Sequence, residues 1–380
     1  MLFDDEDFED DDMFQNESFE EKASLTTNDE DRFIDAAKAH KIVGHTPIEK
    51  QLYELVSGVR PPQAFLFNGP MGVGKATMAF RLARFLLKPK EDTMSMFGEP
   101  ETPADPFDID KNDHVFRLVA SGAHPDLLCI KRPLDEKTGK LKQAVLVDDL
   151  RKIQPFLRLT ASVDGGYRIV IIDDADTMTT ASQNALLKIL EEPPARALII
   201  LNTHKLSSII PTILSRVQVI NFPNLSNDEI SETLRQHFPH LSQSQMSDIV
   251  LMAEGSLGRA LSYAKEDSLL MLNSVAEILS HLPRIEWSKV QLLATALGVK
   301  ESEDQLTVFY ERIVQHMRGL IKEKMLMAPN ETDIYFTTLN QIETAYRKAI
   351  ASNLDKKLVI FEIFDALEHL SLQTSLPNAA

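Results

Sequence analysis

Gly69-Pro-Met-Gly-Val-Gly-Lys-Ala-Thr77 decides the fold of this chain. It satisfies G-x-x-x-x-G-K, the pattern of a loop that cradles phosphate, with Ala76 where Ser or Thr is expected. The apolar run Ala64-Phe-Leu-Phe67 leads into it, and a helix-patterned run from Met78 to Leu87 leads out. Strand, loop and helix in that order are the setting the motif requires. Gly69, Gly72 and Gly74 let backbone amides, that of Val73 among them, turn toward phosphate oxygens. Lys75 reaches the outer phosphates, and the start of the helix favours an anion. The hydroxyl missing at Ala76 is the one that holds Mg²⁺ in such loops. Thr77 stays within the candidate cradle but cannot simply take that role, because the next helical residue points about 100° away. The loop is therefore expected to grip nucleotide and to be poorly built for hydrolysing it.

At 380 residues the chain exceeds one ordinary core, so two or three domains are expected. Apolar content of 43% with 7% aromatic suits a soluble globular protein. No apolar run approaches the ~20 residues of a membrane span, and the acidic N-terminus lacks a signal-peptide pattern. The expectation is a cytoplasmic protein without a membrane partner. A single cysteine, Cys129, excludes an internal disulfide framework and a cysteine-based zinc site. It sits in Leu127-Leu-Cys-Ile130 and reads as a small buried hydrophobe.

The net charge of −17 is unevenly spread. Residues 1–30 hold thirteen Asp or Glu and one Lys, leaving only −5 for the rest. That tail reads as a disordered segment of its own, a solvated extension or a docking strip carrying Phe3, Phe8, Phe14 and Phe19. An acidic chain is a poor autonomous DNA binder. Lys131, Arg132, Lys137, Lys140 and Lys142 could meet a few phosphates, but mixed with Asp135 and Glu136 they also fit a solvated hairpin.

Outward from the loop, helices are expected over 31–40 and 47–57, and an irregular insertion over 88–114. A strand is expected at 124–130, a polar connection over 132–142 and a helix over 148–159. Arg168-Ile-Val-Ile-Ile-Asp173 is a strand buried on both faces, followed by a helix over 180–190. Another strand at 198–201 and a helical turn at 209–215 complete an α/β alternation that implies a parallel sheet. After Pro223 the strand signals stop. Ser226 with Glu229 is a capping box opening the first of three short helices. Five amphipathic helices then run over 268–281, 286–297, 302–325, 332–352 and 355–371, the last with Leu358, Phe361, Phe364, Leu367 and Leu370 as its core stripe.

Ile169-Val-Ile-Ile-Asp-Asp-Ala-Asp176 is the second chemical motif. A carboxylate ending a buried strand beside a phosphate loop is where Mg²⁺ is held, and Asp173 occupies that place. Asp174 stands where a longer Glu would polarise water, a second mark against fast hydrolysis. The same residues also fit an ordinary acidic capping turn.

Asp173-Asp-Ala-Asp-Thr-Met-Thr-Thr-Ala-Ser-Gln-Asn-Ala-Leu-Leu-Lys-Ile-Leu-Glu-Glu-Pro-Pro194, followed by Pro211-Thr-Ile-Leu-Ser-Arg216, resembles the clamp-loader subunits of the AAA+ class. Within that class the chain is most similar to the delta-prime type of bacterial DNA polymerase III. The resemblance covers about 42–260 clearly and the helical remainder in layout. Beyond the acidic tail over 1–30, it implies a nucleotide-binding α/β P-loop domain over 31–222, a three-helix lid over 223–267 and an all-α collar over 268–380. ATP is the implied nucleotide, with Ile42-Val-Gly44 beside the adenine, Gly69 to Lys75 on the phosphates, Asp173 at the metal, and Asn202 or Thr203 at the first sensor position. Ser215-Arg216 matches the family's serine-arginine-cysteine motif with Val217 in place of cysteine, and implies an arginine that reaches a neighbour's ATP in trans. Arg216 also fits the plainer role of capping a helix C-terminus.

Many relatives carry four cysteines in a zinc module between the loop and the acidic strand; this chain has only Cys129 there, so no zinc is expected. Gly258 displaces Arg259 from the lid's second-sensor position. The implied partners are tau/gamma and delta subunits, with the sliding clamp and primed DNA met through the assembly. An active ATPase motor of the same loader stands as the alternative. A small-molecule phosphotransferase has no acceptor site here, and nothing resembles a polymerase or nuclease centre.

Overall fold

The computed structural model describes residues 35–89, 105, 107–132, 142, 144–163, 165–298, 303–352 and 355–375. The acidic tail, most of the insertion, and Lys137 and Lys140 lie outside the described residues. Five strands, β1 (Ala64–Asn68), β2 (Leu127–Ile130), β3 (Arg168–Ile172), β4 (Ala197–Thr203) and β5 (Gln218–Asn221), form one sheet in the order β2-β3-β4-β1-β5. Every pairing is parallel, as the alternation of strands and helices implied. All residues of β3 and β4 are buried, which explains their unbroken apolar runs: helices cover both faces.

Alternation along β1 divides the core. Phe65 and Phe67 pack with Ile48 and Leu52 of α1 (Thr46–Ser57) and with Met78 and Leu82 of α2 (Lys75–Leu87). Ala64 and Leu66 face the other layer, with Leu150, Ile153, Leu186 and Ile213. These come from α4 (Val147–Arg151), α5 (Ile153–Arg158), α6 (Thr180–Glu191) and α7 (Pro211–Leu214). One further helix, α3 (His114–Ala120), packs against α2, in a stretch for which no element was expected.

Other expectations need correction. The helix over 31–40 is, among the described residues, only a turn at 36–38. The helix over 148–159 is two, because Pro155 cannot donate to the carbonyl four residues back, and α4 stops at that residue, Arg151. β5 lies outside every strand expected from the sequence. It is an edge strand with only Ile220 buried, so it lacks both a continuous run and a clean alternation. Cys129 is exposed, not buried, on β2, an edge strand of which only Ile130 is buried.

Three short helices follow the sheet: α8 (Asn227–His237), α9 (Gln243–Ala253) and α10 (Leu257–Tyr263). Ser226 and Glu229 make the capping box that opens α8. Then come α11 (Glu266–Ser280), α12 (Trp287–Leu297), α13 (Glu303–Met327), α14 (Asp333–Ser352) and α15 (Lys356–Ser375). One apolar cluster runs from Leu225 to Leu370 through the short and the long helices alike. The core stripe of α15 begins one residue later than expected: Leu358 is 65% exposed, while Val359, Ile360, Ile363, Phe364, Leu367 and Leu370 are buried. Phe361 instead stacks on Trp287 at 6.0 Å.

Candidate functional site

β1 ends at Asn68, and the chain turns through Gly69–Gly74 into α2, whose first residue is Lys75. Gly72 and Gly74 have φ of 75° and 108°, in the left-handed region that a side chain disfavours. Val73 is buried, and its carbonyl accepts a hydrogen bond from His45 Nε2 at 2.9 Å. This ties the segment holding Ile42 and Val43 to the loop. Gly69 to Lys75 is thus assembled as one turn at a helix start.

A cleft of about 1370 Å³ gathers the sequence candidates. Ile42, Val43, Gly72, Val73, Gly74, Lys75, Ala76, Thr77, Asp173 and Asp174 all line it. An apolar shelf beside a glycine turn, with Lys75 at the turn and Lys41, Lys131 and Lys265 on the walls, suits an anionic ligand that also carries an apolar group. Gly69 supports the turn from behind, where a Cβ would lie 2.3 Å from the Phe222 carbonyl.

Lys75 is only 4% exposed. Burial pulls its ammonium pKa down from 10.5 to about 8, against the attraction of Asp173, Asp176 and Asp174. Its Nζ donates to Gly69 O at 2.7 Å and Pro70 O at 2.6 Å, and meets His204 Nδ1 at 2.9 Å. The side chains of the three residues at and after the end of β4 each contact a different carboxylate. Asn202 Nδ2 donates to Asp173 Oδ1 at 3.1 Å, Thr203 Oγ1 to Asp176 Oδ1 at 3.4 Å, and His204 Nε2 to Asp174 Oδ1 at 3.1 Å. Asn202 Oδ1 is buried without a partner among the described residues. Asp174 has φ of 54° and also accepts from Arg132 Nε at 2.9 Å. The His204 hydrogen bond and then Arg132 hold its carboxyl below the ordinary range despite burial.

Sequence reasoning left Arg132 between a phosphate contact and a solvated hairpin, and gave His204 no role. The signal for His204 was its position, directly after the two residues expected at the first sensor site. No spacing rule picks out a histidine there.

The short helices close on the loop through Gly258. Its amide donates to Gly72 O at 2.9 Å, and a Cβ at Gly258 would stand 2.9 Å from Gly72 Cα. Glycine at 258 is therefore what permits this contact, and it sets Arg259 one residue further on. Arg259 lines the cleft but binds Tyr263 Oη at 3.0 Å, Glu254 at 3.4 Å and Glu311 of α13 at 3.4 Å.

Arg216 lies elsewhere. Gln218 pairs with Phe65 near the start of β1, so Arg216 sits at the end of the sheet opposite the loop. From the level of Arg216 to Gly69, about six residues of extended chain at ~3.3 Å each put about 20 Å between them. Its guanidinium is 35% exposed and bonds Glu191 Oε1 at 3.0 Å and Thr212 O at 2.8 Å. The structure brings together every loop and acidic-strand candidate and separates Arg216 from them.

Residues 44–226 match the family described as DNA polymerase III, delta subunit. The delta' subunit of DNA polymerase III from Pseudomonas aeruginosa is 28% identical over 211 residues, 55% of this chain and 58% of that one. The Bacillus subtilis delta' subunit is 28% identical over 198 residues, 52% and 53% of the two chains. The gamma/tau subunit from Mycobacterium tuberculosis is 33% identical over 176 residues, 46% and 27%. The matched region thus spans little more than half of the delta' relatives and about a quarter of the gamma/tau one. No described helix is long and apolar enough to cross a membrane. The matched segment, a parallel sheet with a phosphate-type loop after β1, is similar to the DNA polymerase III delta-subunit family over a little under half of the chain.

Proposed function

We propose that this chain is a delta-prime-type subunit of a clamp loader, a stator that lends Arg216 to the ATP site of a neighbouring subunit and so helps place a sliding clamp on primed DNA. The observation that carries the reading is the position of Arg216: exposed, about 20 Å from its own loop by strand geometry, and set beside Ser215, Pro193 and Gln63 on an open surface. An arginine there cannot serve its own cleft, and to serve another it exchanges its bonds to Glu191 and Thr212 for a neighbour's phosphate. In this reading residues 31–222 form the nucleotide-binding domain, 223–267 the lid and 268–380 the collar that meets tau/gamma and delta subunits.

The chain's own cleft is the weaker half of the bargain. ATP would lie with Gly69, Gly72, Val73, Gly74 and Lys75 on its phosphates, with Thr77, Asp173 and Asp174 close by. ATP supplies a transferable γ-phosphoryl group whose spreading charge an arginine fork stabilises. Ala76 offers no hydroxyl, Asp174 is engaged by Arg132 and His204, and Arg259 is engaged by Glu311, which together disfavour turnover here. The higher identity to gamma/tau, 33% against 28%, favours the alternative of a motor subunit with its own turnover. The same three features oppose it.

Two measurements test the proposal. In a loader reconstituted with its tau/gamma and delta partners, Arg216→Ala should lower DNA-stimulated ATP hydrolysis at the adjoining site by about 10³-fold. An unchanged rate removes the finger role. The isolated chain should hydrolyse ATP negligibly with or without primed DNA, and turnover near one per second would favour the motor.

A further inference from the structure

An ammonium group has three N–H donors and no acceptor. In Lys75 all three point at the chain itself: Gly69 O, Pro70 O and His204 Nδ1. The two carbonyls belong to the loop that Lys75 closes. The third partner comes from the end of β4, 129 residues away in sequence. Because a lysine ammonium can only donate, Nδ1 of His204 is the acceptor, and the ring proton sits on Nε2, where it donates to Asp174 Oδ1 at 3.1 Å. Asp174 is held by Arg132, and the backbone of His204 is pinned by its amide to Asp176 Oδ1 at 3.1 Å. The ring is thus fixed from both sides in one tautomer, within a chain Arg132–Asp174–His204–Lys75.

A phosphate that settles in the loop needs the same lysine donors. We propose that His204 competes with phosphate for Lys75, an internal antagonist that weakens nucleotide binding at this loop and holds Lys75 in place when no phosphate is there. The inference rests on the reading that Gly69–Lys75 is a phosphate cradle. The competition is stereochemical: Lys75 cannot give one proton to both the imidazole and a phosphate oxygen. Asp174 keeps Arg132 when the ring is gone, so removal of His204 frees Lys75 without stranding the carboxylate.

The test is calorimetric titration of the full chain with ATP and with ADP, for the unsubstituted protein, His204→Ala, His204→Gln and Lys75→Ala, alone and combined. One hydrogen bond of this kind corresponds to about three- to tenfold in affinity. His204→Ala should tighten binding by that factor, a gain that mere loss of structure would not produce. His204→Gln should return affinity to the unsubstituted value, since its amide oxygen can accept from Lys75 while its NH₂ donates to Asp174. Lys75→Ala should abolish binding in either background. Unchanged or weaker binding by folded His204→Ala overturns the antagonist role while leaving the cradle intact, provided Lys75→Ala still loses binding. If Lys75→Ala binds like the unsubstituted chain, or no variant binds at all, the cradle reading itself fails and the proposal with it. Should His204→Ala unfold, ¹⁵N spectra of the imidazole in the unsubstituted chain decide the matter. Nucleotide should move the His204 Nδ1 resonance as Lys75 departs, and a stationary resonance overturns the proposal.

Discussion

Burying Lys75 to 4% exposure drops its pKa from 10.5 to about 8, so the fold holds this charge at a cost of about 3 kcal/mol at neutral pH. The sign is that of a base depressed by folding. Between pH 8 and 10.5 the folded lysine is neutral while the unfolded one is still charged, so unfolding takes up a proton and stability rises with pH. Lys75→Met keeps the stem and removes the charge. It should stabilise the chain by about 1–3 kcal/mol at pH 7, the lost hydrogen bonds offsetting part of the gain. Denaturant melts should show that advantage shrinking as pH climbs from 8 toward 10.5; an advantage that stays constant would mean Lys75 is not strained by burial. At this scale the sequence was most legible where chemistry restricts residue type. Glycines at 72 and 74, Lys75 and Asp173 announce themselves because few other residues can do what the turn and its charge require. His204 was illegible because histidine is compatible with almost any site, and only the approach of β4 to the loop gives its ring two polar neighbours.

Helices and strands were read well where hydrophobic period and burial coincide, as in β3, β4 and α6. They were misread where one residue overrides the period or an edge strand escapes it. Pro155 splits α4 from α5, and β5 shows a single buried residue, Ile220. The displacement of Arg259 by Gly258 was legible as a departure from pattern, but its cause was not, since only the packed elements show Gly258 against Gly72. That contact gives a prediction about α10. Ala is favoured over Gly in a helix by about 1 kcal/mol, so Gly258→Ala would ordinarily stabilise. Here the added methyl would meet the Gly72 backbone at 2.9 Å, closer than atoms tolerate. The helix should be pushed off the loop, breaking the Gly258 N–H to Gly72 O bond, with a net loss of about 1–2 kcal/mol. Hydrogen exchange reports it directly: the amide at 258 should lose protection together with the first turn of α10. A protected amide in a protein of equal or greater stability would mean that the two elements are not in tight contact.

Across the whole molecule, the loop, the short helices and the long ones form one mechanical series: Gly72 touches Gly258, and the next residue, Arg259, reaches α13. Arg259 meets Glu311 at 3.4 Å and donates to Tyr263 Oη, whose hydroxyl in turn donates to Glu311. Glu254 joins the same group by pairing with Arg259 and with Arg318 of α13. Tyr263 is fully buried, and burial together with the carboxylate pushes its phenol pKa up, so the hydroxyl proton stays in place as a donor. Ion pairs as exposed as these contribute little by themselves, whereas a buried hydroxyl that loses its acceptor is costly. Glu311→Ala should therefore destabilise the chain by about 1–3 kcal/mol, mostly through Tyr263. Tyr263→Phe should then recover much of that loss in the Glu311→Ala background, because no donor is left wanting. Chemical denaturation of the two single variants and the double one measures this as a coupling energy. Additive losses would mean that Tyr263 and Glu311 act separately and that α10 and α13 are joined by apolar packing alone. A coupling of about 1 kcal/mol or more would make this polar contact the link through which movement at the loop is felt in the C-terminal helices.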